Sequence, residues 1–422
     1  MSDQDLSPEI AVSFYEQPQV IVDTIPVGQG VPIGIERVFH PSIGIGGAYG
    51  TWGSGYDNEA LAGILKTHFG EAFTDEDRMD LSQLGFVSRH HAPELTPEEH
   101  LELEIEVGAR FLKEAAAANG WKPEEVEGVM IGMTLPVADD YTERIARAAG
   151  IPDSAIKVII LYACDGSRGA LHLLLNPDLT EHEKMQRNLA RELAGKKVLV
   201  GGIEGLSRYV QASNDKSALQ LFGNGAGIIG VIPGENIKFL VGESFEAYDE
   251  KGVLEVSMYY PHSRQRMEGQ SLIEVTQAGE NHFRVAGMMH EPEDGTPVVM
   301  AGPLGMVKLF VRTGVGVVRR VYERYQSLMS EVGSPKEISF AIVHHANLKI
   351  NRLKAKRLRD VGINLQMPWV LSEFGNVSAA SNMIAFLRKL PSIKPGDHIL
   401  FDGFGAGTYY DTFAVSVGES GR

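Results

Sequence analysis

The sequence predicts an α/β protein built from two similar halves. Three observations carry this reading. Apolar, β-branched runs alternate with amphipathic helical stretches along most of the chain. A helix-then-strand order at residues 98–134 recurs at 316–343, and glycine-punctuated strand pairs at 198–232 and 398–418 follow in matching positions. Alternation of this kind implies layered α/β architecture, and a repeated order implies internal duplication. Pro233-Gly234 marks a junction. The expected organisation is an extension over residues 1–35, a first half over 36–235 and a second half over 236–422.

The elements follow in order. Gln19 to Val22 is a short strand in the extension. Ile43 to Gly55 is rich in glycine, but it lacks the Gly-Lys-Ser/Thr ending of a phosphate-cradling loop and no strong strand leads into it. Glu98 to Asn119 has helical periodicity, with Gly120 as its stop. Val126 to Thr134 is a strand. Ile156 to Ala163 is apolar and β-branched, a buried strand that runs into Cys164, the turn Asp165-Gly166 and a helix from Ser167 to Leu175. Asp178 to Leu193 is charged and reads as an inserted helix. Lys197 to Gly202 is a strand, and Leu221 to Ile232 is a strand loosened by glycine. In the second half, Gly316 to Glu331 is a helix, and Ile338 to Val343, His398 to Asp402 and Phe413 to Gly418 are strands.

Composition narrows the function. The chain has 422 residues, a net charge of −16 and a hydrophobic fraction of 43%, as expected of a globular chain with two sizeable cores. The negative charge disfavours general nucleic-acid binding. No apolar run reaches the roughly 20 residues that span a bilayer, and no signal-peptide pattern is visible at the start. A single cysteine excludes intrachain disulfides and fits a reducing compartment. A cytoplasmic protein without membrane or nucleic-acid partners is expected.

Three groups stand at or just after strand ends. Cys164 sits at a strand-to-helix turn, where the positive end of the helix dipole favours a thiolate. The plainer alternative is a small buried hydrophobe. His344 follows the strand ending at Val343, and Asn376 lies in a turn of small residues that opens a helix. His344-His345 could suggest metal, but neighbours on a strand face opposite ways and no ligand spacing accompanies them, so no metal is expected. Lys349, Arg352, Lys356 and Arg359 fall on one helical face, with Ile350 and Leu353 on the flank expected to be buried. Such a face is either simply solvated or a docking surface for acidic groups.

These motifs together resemble the β-ketoacyl-acyl-carrier-protein synthase III family of the thiolase superfamily, over roughly residues 80–418. The matching segments are Ala163-Cys164, Leu221-Phe-Gly-Asn-Gly-Ala-Gly227, His344-His-Ala-Asn-Leu-Lys-Ile350, Gly375-Asn-Val-Ser-Ala-Ala-Ser381 and Gly403-Phe-Gly-Ala-Gly407, in the family's order. The resemblance implies a thiolase-like five-layered αβαβα sandwich of two pseudo-symmetric halves, usually a homodimer. It implies Cys164 as an acyl-accepting nucleophile, with an oxyanion hole from the backbone N–H groups of Cys164 and Ala406. His344 and Asn376 would donate hydrogen bonds to the thioester oxygen of a malonyl unit as CO₂ departs. Asn347, Lys349, Arg352, Lys356 and Lys216 would contact an acyl carrier protein or coenzyme A. No cofactor is implied, because the acyl thioesters are substrates.

Departures from the family pattern suggest a divergent member with a non-standard acyl group. His345 replaces a glutamine, Asp165 replaces a small residue, and Gln83 stands where an arginine near the coenzyme A adenine is expected. An inward-pointing Asp165 would raise the Cys164 pKa. The loop from Pro136 to Arg144, which in relatives lines the acyl pocket from the partner subunit, is unusually charged here. Two other functions remain open: acyl transfer from Cys164 to an oxygen or nitrogen nucleophile, and a non-catalytic partner subunit.

Overall fold

The computed structural model describes residues 18–134, 136–182, 187–212, 216–246, 274–286, 307–405 and 409–418. In chain order the main elements are β1 (Gln19–Ile25), β2 (Val31–His40), β3 (Ile45–Trp52), β4 (Ser54–Asp57), α1 (Asn58–Phe69), β5 (Ser88–His91), α2 (Pro97–Ala118), β6 (Gly128–Gly132), α3 (Tyr141–Ala149), β7 (Ile156–Leu161), α4 (Gly166–Leu175), β8 (Val198–Glu204) and β9 (Gly225–Val231). They continue with β10 (Ile237–Glu246), β11 (Glu274–Gly279), β12 (His282–Ala286), α5 (Gly314–Glu331), β13 (Ile338–Val343), α6 (Leu348–Asp360), α7 (Ser381–Lys389), β14 (His398–Gly405) and β15 (Tyr409–Val417).

Two large sheets result. The first has the order β1-β2-β3-β9-β8-β6-β7-β12-β11, the second β10-β15-β14-β13. The internal repeat appears as strand direction. β3/β9 and β9/β8 are antiparallel and β8/β6 is parallel; β10/β15 and β15/β14 are antiparallel and β14/β13 is parallel. β7 extends the first sheet beyond β6. The corresponding edge beside β13 carries an irregular segment, where Ala341 N–H donates to the Gln366 carbonyl at 2.8 Å.

Strand periodicity assigns side chains to layers. Val129 and Ile131 of β6 pack outward with Leu103, Val107 and Phe111 of α2 and Ile145 of α3. Met130 points the other way, into a core shared by both sheets with Leu171 and Leu174 of α4, Ile384 and Phe386 of α7, and Phe401 of β14. On the far side, Val318 and Val321 of α5 and Leu358 of α6 cover Ala341, Leu400 and Ala414. The layers are therefore α2/α3, first sheet, α4/α7, second sheet, α5/α6: the five-layered αβαβα sandwich. Every residue of α4 is buried, its polar Ser167, Arg168 and His172 included.

Local chemistry sets the boundaries. Thr96 caps α2 in a reciprocal capping box with Glu99, with proline in the first turn. Asn347 caps α6 by accepting from Ile350 N–H at 2.9 Å. Gly46, Gly47 and Gly50 of the glycine-rich stretch lie within β3, between β2 and β9, so its centre is a sheet interior.

Other expectations change. Residues 178–193 hold two short helices, Pro177–His182 and Leu189–Glu192, where one was expected; residues 183–186 lie outside the described set. The charged stretch after Pro136 enters α3, which the sequence reading missed because Tyr141–Ala149 is only nine residues long. The β11–β12 hairpin, from the second half of the sequence, joins the first sheet by pairing β12 parallel to β7. Residues 1–17 lie outside the described set, but β1 and β2 extend the first sheet from β3.

Close approach between layers requires glycine at the end of β14. A Cβ on Gly405 would collide with the Tyr162 carbonyl and press on the backbone N and Cβ of Asp165. Gly405→Ala is expected to cost about 1–3 kcal/mol of stability. Gly63, inside α1 with nothing near its Cβ position, should instead gain about 0.5–1 kcal/mol on replacement by alanine. Denaturant midpoints of the two variants test the contrast.

Candidate active site

Cys164 lies in a single 3₁₀ turn, Ala163–Asp165, between β7 and α4. The positive φ of Ala163, 49°, turns the chain sharply just before the thiol, a backbone strain concentrated at functional positions. Gly132 permits the tight fit: a Cβ there would strike the backbone of Gly166 and Ser167 at the start of α4. Cys164 is partly exposed. The helix dipole of α4 favours its anion, but burial of the surroundings pushes the thiol up to about 11, opposed by its hydrogen-bond contact with Ser378 and reinforced by Glu204. The sequence reading of a readily ionised thiolate is therefore incomplete. The resting thiol holds its proton and needs an acceptor.

Asp165 does point inward, as the sequence warned, but it is ion-paired with Arg168, and both side chains are fully buried. Arg168 Nη1 also donates to Asn382 Oδ1 at 3.1 Å. Burial lowers the Arg168 guanidinium to about 10 while Asp411, Asp402 and Cys164 oppose the shift. The acid beside the nucleophile is thus matched by a cation one helical turn on.

His344 is buried, its ring edge-on to Phe404 with centroids 5.2 Å apart. Its Nδ1 lies 2.8 Å from Ser381 Oγ, and its Nε2 has no hydrogen-bond partner among the described residues. Ser381 Oγ also lies 3.3 Å from Asn382 Oδ1, which has Arg168 as a second donor, and its one proton serves His344 Nδ1 at the shorter contact. That pairing assigns the ring proton to Nε2. Burial, then Arg168, His345 and Lys354, hold its pKa well below the usual histidine range. His344 is therefore a neutral donor at Nε2 and a poor base.

Asn376 is buried, and its Oδ1 accepts from Ser378 N–H at 2.9 Å. This local turn orients the amide and leaves Nδ2 as the group the residue can offer. Its backbone is clamped by Leu221 and Gly223, at 2.8 and 3.2 Å.

One segment joins these groups. Asn376 begins it, Ser378 Oγ is 3.2 Å from Cys164 Sγ, and Ser381 meets His344. Ser167 Oγ, at the start of α4, donates to the Ala379 carbonyl. Ser378 has a φ of 42°, so the segment carries strain where it meets the thiol. The carboxylate of Glu204, 1% exposed, anchors it: Oε1 accepts from Ala379 N–H at 3.1 Å, Thr134 N–H at 2.8 Å and Thr134 Oγ1 at 2.8 Å. Burial raises Glu204 to about 8 against these hydrogen bonds.

The remaining predicted residues fall as follows. Lys349, Arg352, Lys356 and Arg359 line the exposed face of α6, with Ile350 buried and Leu353 half-buried, as their spacing predicts. Asn347 Oδ1 is used in capping that helix. Lys216 pairs with Asp77 at 2.8 Å and with the Ala72 carbonyl, so its charge is already engaged. Gln83 is exposed. His345 is a structural residue: Nδ1 meets the Val343 carbonyl at 2.9 Å, Nε2 accepts from Val370 N–H at 3.2 Å, and burial lowers it to about 4. Ala406 lies outside the described residues. Among the described residues no cluster of ligating side chains could hold a metal ion, and no helix is long and apolar enough to cross a membrane.

The sequence reading missed Glu204, Thr134, Ser378, Ser381 and Arg168. Glu204 had a signal: it is the one acid at the end of the otherwise apolar run Val198-Leu-Val-Gly-Gly-Ile203. The serines had none beyond their place in the small-residue turn.

Comparison with known proteins finds similarity to one family and one fold. The family model for the 3-oxoacyl-[acyl-carrier-protein (ACP)] synthase III C terminal matches residues 329–417. The chain is 27% identical over 302 residues to β-ketoacyl-[acyl-carrier-protein] synthase III of Aquifex aeolicus (strain VF5), covering 70% of this chain and 78% of that protein. It is 26% identical over 320 residues to the protein of the same name from Clostridium tetani (strain Massachusetts / E88), covering 74% and 83%. The crystal structure of 3-oxoacyl-[acyl-carrier-protein] synthase III from Aquifex aeolicus VF5 superposes with a TM-score of 0.57 at 20% identity, over 86% of this chain and 96% of that one, which establishes the shared fold.

The raised Glu204 pKa carries a stability prediction. An acid that ionises less readily in the folded than in the unfolded state contributes stability that is full below its unfolded pKa and is lost as pH rises through its folded pKa. For Glu204 that window runs from its ordinary value of 4.5 to about 8. The stability advantage of the wild type over Glu204→Gln should therefore be largest at the acid end and shrink across this window. Urea unfolding of both proteins through the window tests the sign.

Proposed function

We propose that this chain, which belongs to the β-ketoacyl-[acyl-carrier-protein] synthase III family of the thiolase superfamily, catalyses decarboxylative Claisen condensation through an acyl-Cys164 intermediate. The observation that carries the reading is the 376–381 segment, which ties the thiol, a neutral histidine donor and an oriented asparagine amide to one rigid turn.

The chemistry follows from the donors. Cys164 attacks an acyl thioester, and the oxyanion forms beside the backbone N–H of Cys164, with Ala406 N–H as the second donor implied by the family motif. The leaving thiol departs and the acyl group stays on sulfur. A malonyl thioester then places its carbonyl oxygen against His344 Nε2–H and the Asn376 amide. As CO₂ leaves, negative charge grows on that oxygen. Two fixed neutral donors stabilise the developing enolate without needing their own charges compensated. The enolate carbon attacks the acyl carbon on Cys164, the C–S bond breaks, and a 3-oxoacyl thioester is released. The exposed basic face of α6 suits an acyl carrier protein or the phosphates of coenzyme A. Lys216 is the weaker candidate for that role, since Asp77 already neutralises it.

The test separates the steps. Intact-protein mass spectrometry should find an acyl adduct on incubation with acyl-coenzyme A or acyl-carrier-protein donors, and none in Cys164→Ala. Asn376→Ala should retain that adduct but lose malonyl decarboxylation by about 10²–10³-fold. Transfer of the acyl group to an oxygen or nitrogen acceptor, unaffected by Asn376→Ala, would replace condensation with simple acyl transfer. No adduct from any donor would support a non-catalytic subunit.

A further inference from the structure

The mechanism leaves one step without an agent: the Cys164 proton has to leave as sulfur attacks. The nearby candidates are few. His344 carries its proton on Nε2 and uses Nδ1 with Ser381. Asp165 is held in a buried pair with Arg168. A continuous line of hydroxyls leads elsewhere. Cys164 Sγ lies 3.2 Å from Ser378 Oγ, Ser378 Oγ lies 2.8 Å from Thr134 Oγ1, and Thr134 Oγ1 lies 2.8 Å from Glu204 Oε1. Three chain segments, after β7, after β6 and before α7, converge to build it, and β8 supplies the terminal carboxylate.

We propose that Glu204 accepts the Cys164 proton through Ser378 and Thr134, and so acts as the remote general base for acylation. This rests on the reading of Cys164 as the nucleophile. The transfer balances as three hops. The thiol S–H passes its proton to Ser378 Oγ, Ser378 passes its own to Thr134 Oγ1, and Thr134 passes its own to Glu204 Oε1. The sulfur keeps the electron pair and forms the new C–S bond. Afterwards Ser378 donates toward sulfur, Thr134 toward Ser378 and protonated Glu204 toward Thr134. The donor's C–S bond then breaks, the relay run in reverse delivers the proton to that leaving thiolate, and acylation ends with the site at its starting charge; the Cys164 thiolate freed on condensation takes its proton from solvent.

The electrostatics suit a relay coupled to bond formation. With the thiol near 11 and the carboxyl near 8, the proton does not move spontaneously before attack. It moves as the thioester carbon draws electron density from sulfur. The charged and titratable groups around the relay are Arg168 from α4 and His344 after β13 on the thiol side, Tyr141 from α3 and Glu104 from α2 on the carboxylate side, and Arg208 facing Glu104 and Tyr141. Burial raises Glu104 to about 7 and Tyr141 well above its usual value. Among the described residues, Glu204 is the carboxyl joined to the thiol by an unbroken line of hydroxyls.

Alkylation of Cys164 by iodoacetamide, followed by intact mass across roughly pH 6 to 10, tests this without any thioester. In the wild type the rate should rise as Glu204 ionises near 8. Glu204→Gln should remove that step, leaving the steady rise set by ionisation of the thiol itself toward about 11, and slow alkylation just above the step on the order of a hundredfold. Thr134→Val, which breaks the relay and leaves the acid in place, should do the same, and it decides the matter if the glutamine variant does not fold. The double variant should be within about twofold of either single one, because residues of one relay are not additive. Rates within about twofold of wild type in both variants, or additive losses, would overturn the relay. A relay-dependent alkylation profile with no acyl adduct from any donor would instead sink the condensing function and leave the relay standing.

Discussion

The site depends on one buried carboxylate. Glu204 ends a strand whose other side chains are all apolar, and it accepts hydrogen bonds from the chain after β6 and from the turn before α7. Those two segments belong to different halves of the molecule. Without a common acceptor, the N–H groups of Thr134 and Ala379 would face each other across a dry gap, and each would carry the cost of an unmade hydrogen bond. With it, the 376–381 segment is held so that Ser378 reaches sulfur and Ser381 reaches the histidine ring. The geometry of Cys164, His344 and Asn376 is thus a consequence of how the two halves are joined.

The same junction contains an unusual density of buried charge. Asp165 pairs with Arg168, Lys354 with Asp402 at 2.5 Å, and His172 with Asp411 at 2.5 Å. Thr412 adds a hydroxyl to Asp402 at 3.0 Å, and His172 stacks on Phe413 with centroids 4.6 Å apart. Burying ion pairs is poor value for stability, since desolvation offsets most of the attraction. Their geometric effect is clearer. Burial, with the cations of Arg168 and Lys354 close by, keeps the His344 ring neutral, and Arg168 also donates to the Asn382 oxygen that lies 3.3 Å from Ser381 Oγ. The charges reinforce, without touching the ring, a protonation state that burial sets first.

How much of this was legible follows from what each residue does. Cys164, β13 and α2 were readable because their signals are local: a thiol at a strand-to-helix turn, an apolar β-branched run, a capped amphipathic helix. The duplication was readable from element order and recurs in the strand directions of the two sheets. The relay was not readable, because Thr134, Ser378 and Glu204 are distant in sequence and ordinary in type. Glu204 alone broke a pattern, as an acid closing an apolar strand. Short α3 escaped because nine residues carry little periodicity, and the β11–β12 hairpin because its placement is decided by pairing with a distant strand, which periodicity does not encode.

That hairpin changes what the sheet edge can do. β7 would be the outer strand of the first sheet if the core pattern β3-β9-β8-β6-β7 stood alone, and a fully buried apolar strand at an open edge invites pairing with another chain. Here β12 occupies that edge in parallel register from His282 opposite Lys157 to Ala286 opposite Leu161. Arg284 pairs with Asp139 at 2.8 Å, and His282 lies 3.6 Å from Glu143, so the hairpin is also tied to the charged stretch that enters α3. The charge of that stretch, puzzling in a segment expected to line an apolar pocket, serves this attachment. In this arrangement a second copy cannot extend the sheet through β7. Among the described residues the outermost strand is β11, whose exposed Thr276 and Gln277 make a polar edge.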